Sequence, residues 1–173
     1  MPNVGRTARA KETMSREVER IEAQLQRSFA GGAWHGPSVL EALEGVTPEA
    51  AYEHPVAGAH SIWELVLHLA GTYRLVLRRL EGDDTQWTPN EDWPLVPAPT
   101  PSRWQETIRS LRELNDRIRH AVLGFDSDRL DEPLVAEPPY TAYTQFLGIT
   151  QHDLYHAGQI VILKRALVHR SAT

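Results

Sequence analysis

Near its C-terminal end the chain reads QHDLYHAGQIVILKRA over residues 151–166. His152 and His156 stand four residues apart at the head of an apolar run with helical spacing. In a helix that spacing puts two imidazoles on one face, ~6 Å apart along the axis at ~1.5 Å rise per residue. Two imidazoles so placed can chelate one metal ion. They can also be plain surface or core histidines, and with eight histidines in the chain an i, i+4 pair arises readily by chance. The neighbours bear on the choice. Gly148 lies one turn before His152 on the same face, and Gln159 one step beyond His156. A glycine inside a helix costs ~1 kcal/mol relative to alanine, so it marks close approach or open space. Space beside two histidines is what an exchangeable coordination position requires. At Gly158, close helix packing is an adequate account. Gln159 reads either as a group that orients a ligand or substrate, or as an exposed polar residue.

Two histidines need a third. His68 is the best candidate, in the middle of the apolar segment SIWELVLHLAGTYRLVL that begins at Ser61. Histidines on such helices are more often hydrogen-bonded core or boundary residues than ligands. Gly71 and Thr72 follow it on the same face, so this segment too is small beside its histidine. Three neutral imidazoles leave one coordination position open, the pattern of a catalytic zinc site. Glu64, one turn before His68, is either a carboxylate that holds the imidazole N–H or the capping-box partner of Ser61. His35, in Trp34-His35-Gly36-Pro37, and His60, just ahead of the His68 segment, either border a pocket or are loop histidines. Trp34, Trp87 and Trp93 can line such a pocket or simply pack. His54, His120 and His169 have no supporting context and read as surface residues.

These residues must be held by helices. Four long segments carry helical periodicity. The first runs from about Thr13 to Phe29, with Val18, Ile21, Leu25 and Phe29 on its stripe and Gly31-Gly32 as its stop. The second runs from Ser61 to about Leu80, through Leu65, Leu69, Tyr73 and Val76, and stops at Gly82. The third opens at Thr100-Pro101, a cap followed by proline at the first helical position. It carries Trp104, Ile108, Leu111, Leu114 and Ile118 to about Gly124. The fourth runs from about Tyr140 to Leu167, through Leu147, Leu154, Ile160, Val161 and Leu163. Residues 30–60 suggest two short helical turns, one after Pro37 and one at Thr47-Pro48. Residues 83–101 hold five prolines, and 124–139 are irregular. Connections this long cross the end of a bundle or carry binding residues over it. The fold expected is an all-α four-helix bundle with long crossover connections, one domain over residues 1–173 with residues 1–12 as a flexible arm.

Composition narrows the partners. Apolar residues make up 41% and charged residues 24%, ordinary for a globular protein. Eighteen basic against 23 acidic residues give a net charge of −5, which argues against nonspecific nucleic-acid binding. Arg6, Arg9 and Lys11 form a short basic arm that reads as a frayed terminus. The chain has no cysteine, so disulfides, thiolate-ligated metal and a cysteine nucleophile are all excluded. Any thiol chemistry must bring its thiol with the substrate. No apolar h-region opens the chain and no run approaches the ~20 residues of a membrane span. The expected location is the cytoplasm.

Three stretches together resemble the DinB/YfiT family of four-helix-bundle metalloenzymes: AWHGPS at 33–38, HSIWELVLHLAGTYR at 60–74 and GITQHDLYHAGQI at 148–160. The last is the most specific of them. The resemblance covers nearly the whole chain, and it implies a metal triad of one histidine on the second long helix and two on the fourth. By position these are His68, His152 and His156. It further implies a divalent metal, zinc or nickel, and a homodimer. Some relatives resemble S-transferases that use a low-molecular-weight thiol; others resemble isomerases or hydrolases. The function expected is a metal-dependent transferase or hydrolase acting on a small molecule. The alternative is a non-catalytic metal-binding stress-response protein, which a fourth protein ligand such as Glu64 or His60 would favour.

Overall fold

The structure is a computed structural model that describes residues 4–171, with side chains from Arg16 to Arg170. The basic-arm reading at residues 1–12 concerns side chains outside the described residues. Helix α1 spans Val4–Ala30 and so begins well before Thr13. It ends where Gly31 and Gly32 take φ of +134° and +83°, a backbone that side chains with a Cβ rarely adopt. Two single-turn helices follow, α2 (Val39–Leu43) and α3 (Pro48–Tyr52). Their caps are Ser38, which forms a full capping box with Glu41, and Thr47, which is followed by proline.

Helix α4 spans Ile62–Leu80, with Ser61 as its cap and Glu64 closing the capping box. The proline-rich connection after it is not wholly irregular. It contains a one-turn helix α5, Pro89–Asp92, capped by Thr88 with Glu91 returning the bond. Helix α6 spans Pro101–Leu123 behind the cap Thr100. A 3₁₀ turn at Ser127–Arg129 leads to α7, Ala142–Ser171. Among the described residues there are no strands, only an isolated bridge between Pro133 and Thr141. No helix among them is long and apolar enough to cross a membrane.

The four long helices close a bundle. Both α1 and α4 pack against α6 and α7, which puts α1 diagonally opposite α4. The stripes of α1, α4 and α6 bury as their spacing requires: Leu25, Leu69, Leu111 and Ile118 are fully inside. Each such side chain contributes ~1.5–3 kcal/mol. On α7 the stripe differs. Phe146, Ile149, Ile160 and Leu163 are buried, whereas Leu147, Leu154 and Val161 are half-buried. This helix also faces inward through polar residues, which blurs its apolar period.

One of these is Asp153, fully buried. Tyr73 Oη donates to its Oδ1 at 2.7 Å, and Ser28 Oγ lies 2.9 Å from its Oδ2. A polar knot therefore ties α1, α4 and α7 together at the centre of the bundle. Burial raises the Asp153 pKa to about 7, against the lowering effect of the two hydroxyls.

Candidate metal centre

The helix pair α4·α7 brings His68 against His152 and His156 on one side of Asp153. Nε2 of His152 lies 2.9 Å from Nε2 of His68 and 2.9 Å from Nε2 of His156. One ligand atom from each residue falls within 4.8 Å of the others. His68 and His156 are buried and His152 is half-buried. The i, i+4 spacing on α7 supplies two rings, and the neighbouring helix supplies the third at matching height.

The outer nitrogens decide which atoms point inward. His68 Nδ1 is 3.1 Å from the backbone carbonyl of Asp92 and 2.8 Å from its carboxylate Oδ1. His156 Nδ1 is 2.6 Å from Oε1 of Gln159. Both neighbours accept, so both rings carry their proton on Nδ1 and turn a lone pair on Nε2 toward His152. A single N–H at His152 Nε2 satisfies one of those lone pairs and leaves the other unmatched. A cation at the meeting point satisfies all three, provided the His152 proton sits on Nδ1. That Nδ1 is buried with no hydrogen-bond partner. The donor set therefore fits a metal better than it fits a closed hydrogen-bond network.

The electrostatics agree. Burial, reinforced by the other two histidines, lowers the pKa of His152 to about 3. Burial also lowers that of His156, although its bond to Gln159 works the other way. Both rings are neutral near pH 7, as metal ligands must be.

The connection before α6 closes the site. Trp93 stacks on His68 with centroids 4.2 Å apart and on His60 at 3.5 Å. Trp87 lies on His68 as well, at 5.6 Å. Gly71 makes this possible, because a Cβ there would stand 2.8 Å from the Glu91 carbonyl oxygen and 2.9 Å from Trp87 Cζ2. The small face beside His68 is thus filled by the backbone and aromatic rings of a loop. At Gly148 and Gly158 a Cβ would meet nothing within 4 Å. Both face open space, so close helix packing is not the reason for Gly158.

The other candidates fall as follows. Gln159 holds His156 as described. His60 stacks on Trp93, which in turn covers His68, and its Nδ1 is 3.6 Å from Glu64 Oε2. Glu64 does not touch His68: its Oε2 accepts from the Ser61 N–H at 2.6 Å and sits 2.9 Å from His54 Nε2. Burial works to raise its pKa, but these contacts hold it below the ordinary value. Trp34 is 92% exposed and packs on His35, with centroids 4.6 Å apart, on the bend after α1. No hydrogen bond or ring contact joins either residue to the triad. Asp92 was missed by the sequence reading. The pattern Thr88-Pro89-Asn90-Glu91 is a capping box with proline at the first helical position, and it signals a helical turn that carries Asp92 and ends at Trp93.

Among curated proteins, none matches the chain. The crystal structure of a conserved protein from Enterococcus faecalis is similar in fold, with a TM-score of 0.57 and 16% identity over 92% of this chain and 97% of that one. That likeness concerns architecture alone. The family model of the DinB superfamily matches residues 32–160, a span that runs from the bend after α1 through His68, His152 and His156. The chain belongs to the DinB superfamily.

Proposed function

We propose that the protein is a metal-dependent enzyme acting on a small molecule, a thiol-dependent S-transferase or a hydrolase. The observation that supports this reading is the convergence of three imidazole Nε2 atoms, with the outer nitrogens of His68 and His156 held by Asp92 and Gln159. A divalent ion at that point, zinc or nickel, supplies a Lewis acid and lowers the pKa of a coordinated thiol or water. The rest is the work of this chain. Asp92 and Gln159 fix the ring orientations, and Trp87 and Trp93 keep water from the His68 side. No protein nucleophile is required, in keeping with the absence of cysteine. Glu64 Oε2 is engaged by Ser61 and His54, which supports an open site over one closed by a fourth protein ligand. The cytoplasm and a homodimer belong to the same reading.

The test begins with metal content. Untagged protein incubated with zinc or nickel, then desalted, is expected to hold near-stoichiometric metal by plasma mass spectrometry. Each of His68→Ala, His152→Ala and His156→Ala is expected to lose it. Low-molecular-weight thiols with monochlorobimane, and ester and amide substrates, are then screened with loaded protein. Metal-free protein that stays folded but takes up no ion would overturn the reading, as would the absence of metal-dependent turnover in every screen.

A further inference from the structure

Next to the triad, on the far side of Gln159, lies a cleft of about 270 Å³. Ala59 and Leu65 form one apolar wall, Ile162 and Leu163 the other, and His60 and Gln159 supply polar groups. No charged side chain lines it. Gln159 is shared between the cleft and the triad. Its Oε1 accepts from His156 Nδ1 at 2.6 Å, and its amide Nε2 makes no hydrogen bond among the described residues. His60 is linked to the triad from the other direction, through the Trp93 ring that stacks on both His60 and His68. Gln159 therefore touches a histidine of the triad directly, and His60 is separated from one by a single ring.

We propose that this cleft receives the uncharged apolar tail of the substrate, while the Gln159 amide donates to a carbonyl-type oxygen where the tail joins the reacting group. The proposal rests on the metal-centre reading above. The volume lies just under the ~300–1,000 Å³ of pockets that enclose a whole ligand. It suits a short alkyl or aryl tail whose head lies outside, toward the histidines. The lack of charged lining disfavours a polyanionic or zwitterionic tail. One residue, Gln159, then reads the substrate and holds a ligand ring in place.

Zinc-loaded protein is titrated by calorimetry with acetohydroxamate and hexanohydroxamate, which share a metal-binding head and differ in the tail. The longer probe is expected to bind about tenfold tighter or more, because each buried methylene adds severalfold. Ile162→Asp places a charge on the wall at a position 62% exposed, so the core is undisturbed. It is expected to shrink the difference severalfold, since the tail loses half of one apolar wall and meets a charge there, at unchanged zinc content. Equal binding of the two probes by wild type, or a tail effect undiminished in Ile162→Asp, overturns the proposal. If wild type takes up no zinc, the metal reading fails by itself and the cleft is tested with metal-free protein and 1-hexanol. Amide shifts confined to residues 58–60 and 159–163 in heteronuclear NMR then keep the cleft as an apolar-ligand site, and their absence removes it.

Discussion

Asp92 Oδ1 lies 2.8 Å from Nδ1 of His68, and the carbonyl oxygen of the same residue lies 3.1 Å from that nitrogen. One residue thus offers the imidazole a carbonyl acceptor and, close by, a negatively charged carboxylate oxygen that itself accepts no hydrogen bond. Outer partners of this kind typically contribute ~10–100-fold in metal affinity. Asp92→Ala keeps the backbone carbonyl and loses only the charge, so its cost is expected at the lower end, about tenfold. His68→Ala removes a ligand and should abolish binding. Competition with a chromogenic zinc chelator measures both. Affinity unchanged in Asp92→Ala would show that the carbonyl alone positions the ring.

The tautomers are directly observable. Long-range ¹H–¹⁵N spectra of metal-free protein near pH 7 are expected to show His68 and His156 protonated at Nδ1. In Gln159→Leu the His156 ring loses its acceptor, and its tautomer mixture should shift toward Nε2–H. Metal affinity should fall by ~10-fold in the same variant. A His156 ring already protonated at Nε2 in the wild type would contradict the arrangement inferred for the triad.

Much of this was legible in the sequence, for identifiable reasons. Local chemistry was readable: the caps Ser61 and Thr100 act within one turn of themselves, and the apolar stripe of α1 has a single partner-facing side. His152 and His156 were readable because helix geometry alone puts them together. What joins them to His68, Asp92 and Trp93 is the order of the helices and the path of a connection, and no local pattern encodes that. Asp153 was unreadable for another reason: an acidic residue on a helix reads as a solvated one. Its partners Ser28 and Tyr73 lie 125 and 80 residues away.

Two glycines separate packing from open space. Gly71→Ala puts a methyl group 2.8 Å from the Glu91 carbonyl oxygen, which belongs to backbone and cannot swing aside. The α5 turn must retreat, and it carries Asp92 with it. A stability loss of ~1–3 kcal/mol is expected, together with weaker metal binding. Gly158→Ala meets nothing within 4 Å and lies inside α7, so it should stabilise by up to ~1 kcal/mol through helix propensity. Urea unfolding midpoints of the two variants should move in opposite directions. A stabilising Gly71→Ala would mean that the loop is not seated against α4 as described.

Asp153 should reveal itself through pH. Ser28 Oγ lies 3.1 Å from the Leu25 carbonyl as well as 2.9 Å from Asp153 Oδ2, and it has one proton to give. If Asp153 is neutral, its own proton on Oδ2 donates to Ser28, and Ser28 donates to Leu25. If it is ionised, Leu25 loses its bond and a charge is left buried. Its native pKa of about 7 stands above the ordinary aspartate value of 3.8, so between those values the folded state holds a proton that the unfolded state has released. Stability from this group is therefore complete below about pH 4 and is lost as pH rises toward 7. Asparagine imitates the neutral acid, with an N–H toward Ser28 and an oxygen toward Tyr73. The stability of Asp153→Asn relative to wild type, both treated with chelator, should accordingly grow from pH 4 to pH 7 by a few kcal/mol at most. Denaturant unfolding at several pH values measures that difference. A difference that does not change with pH would mean that Asp153 is ionised in the folded protein throughout, and that Tyr73 and Ser28 are enough to hold a buried charge.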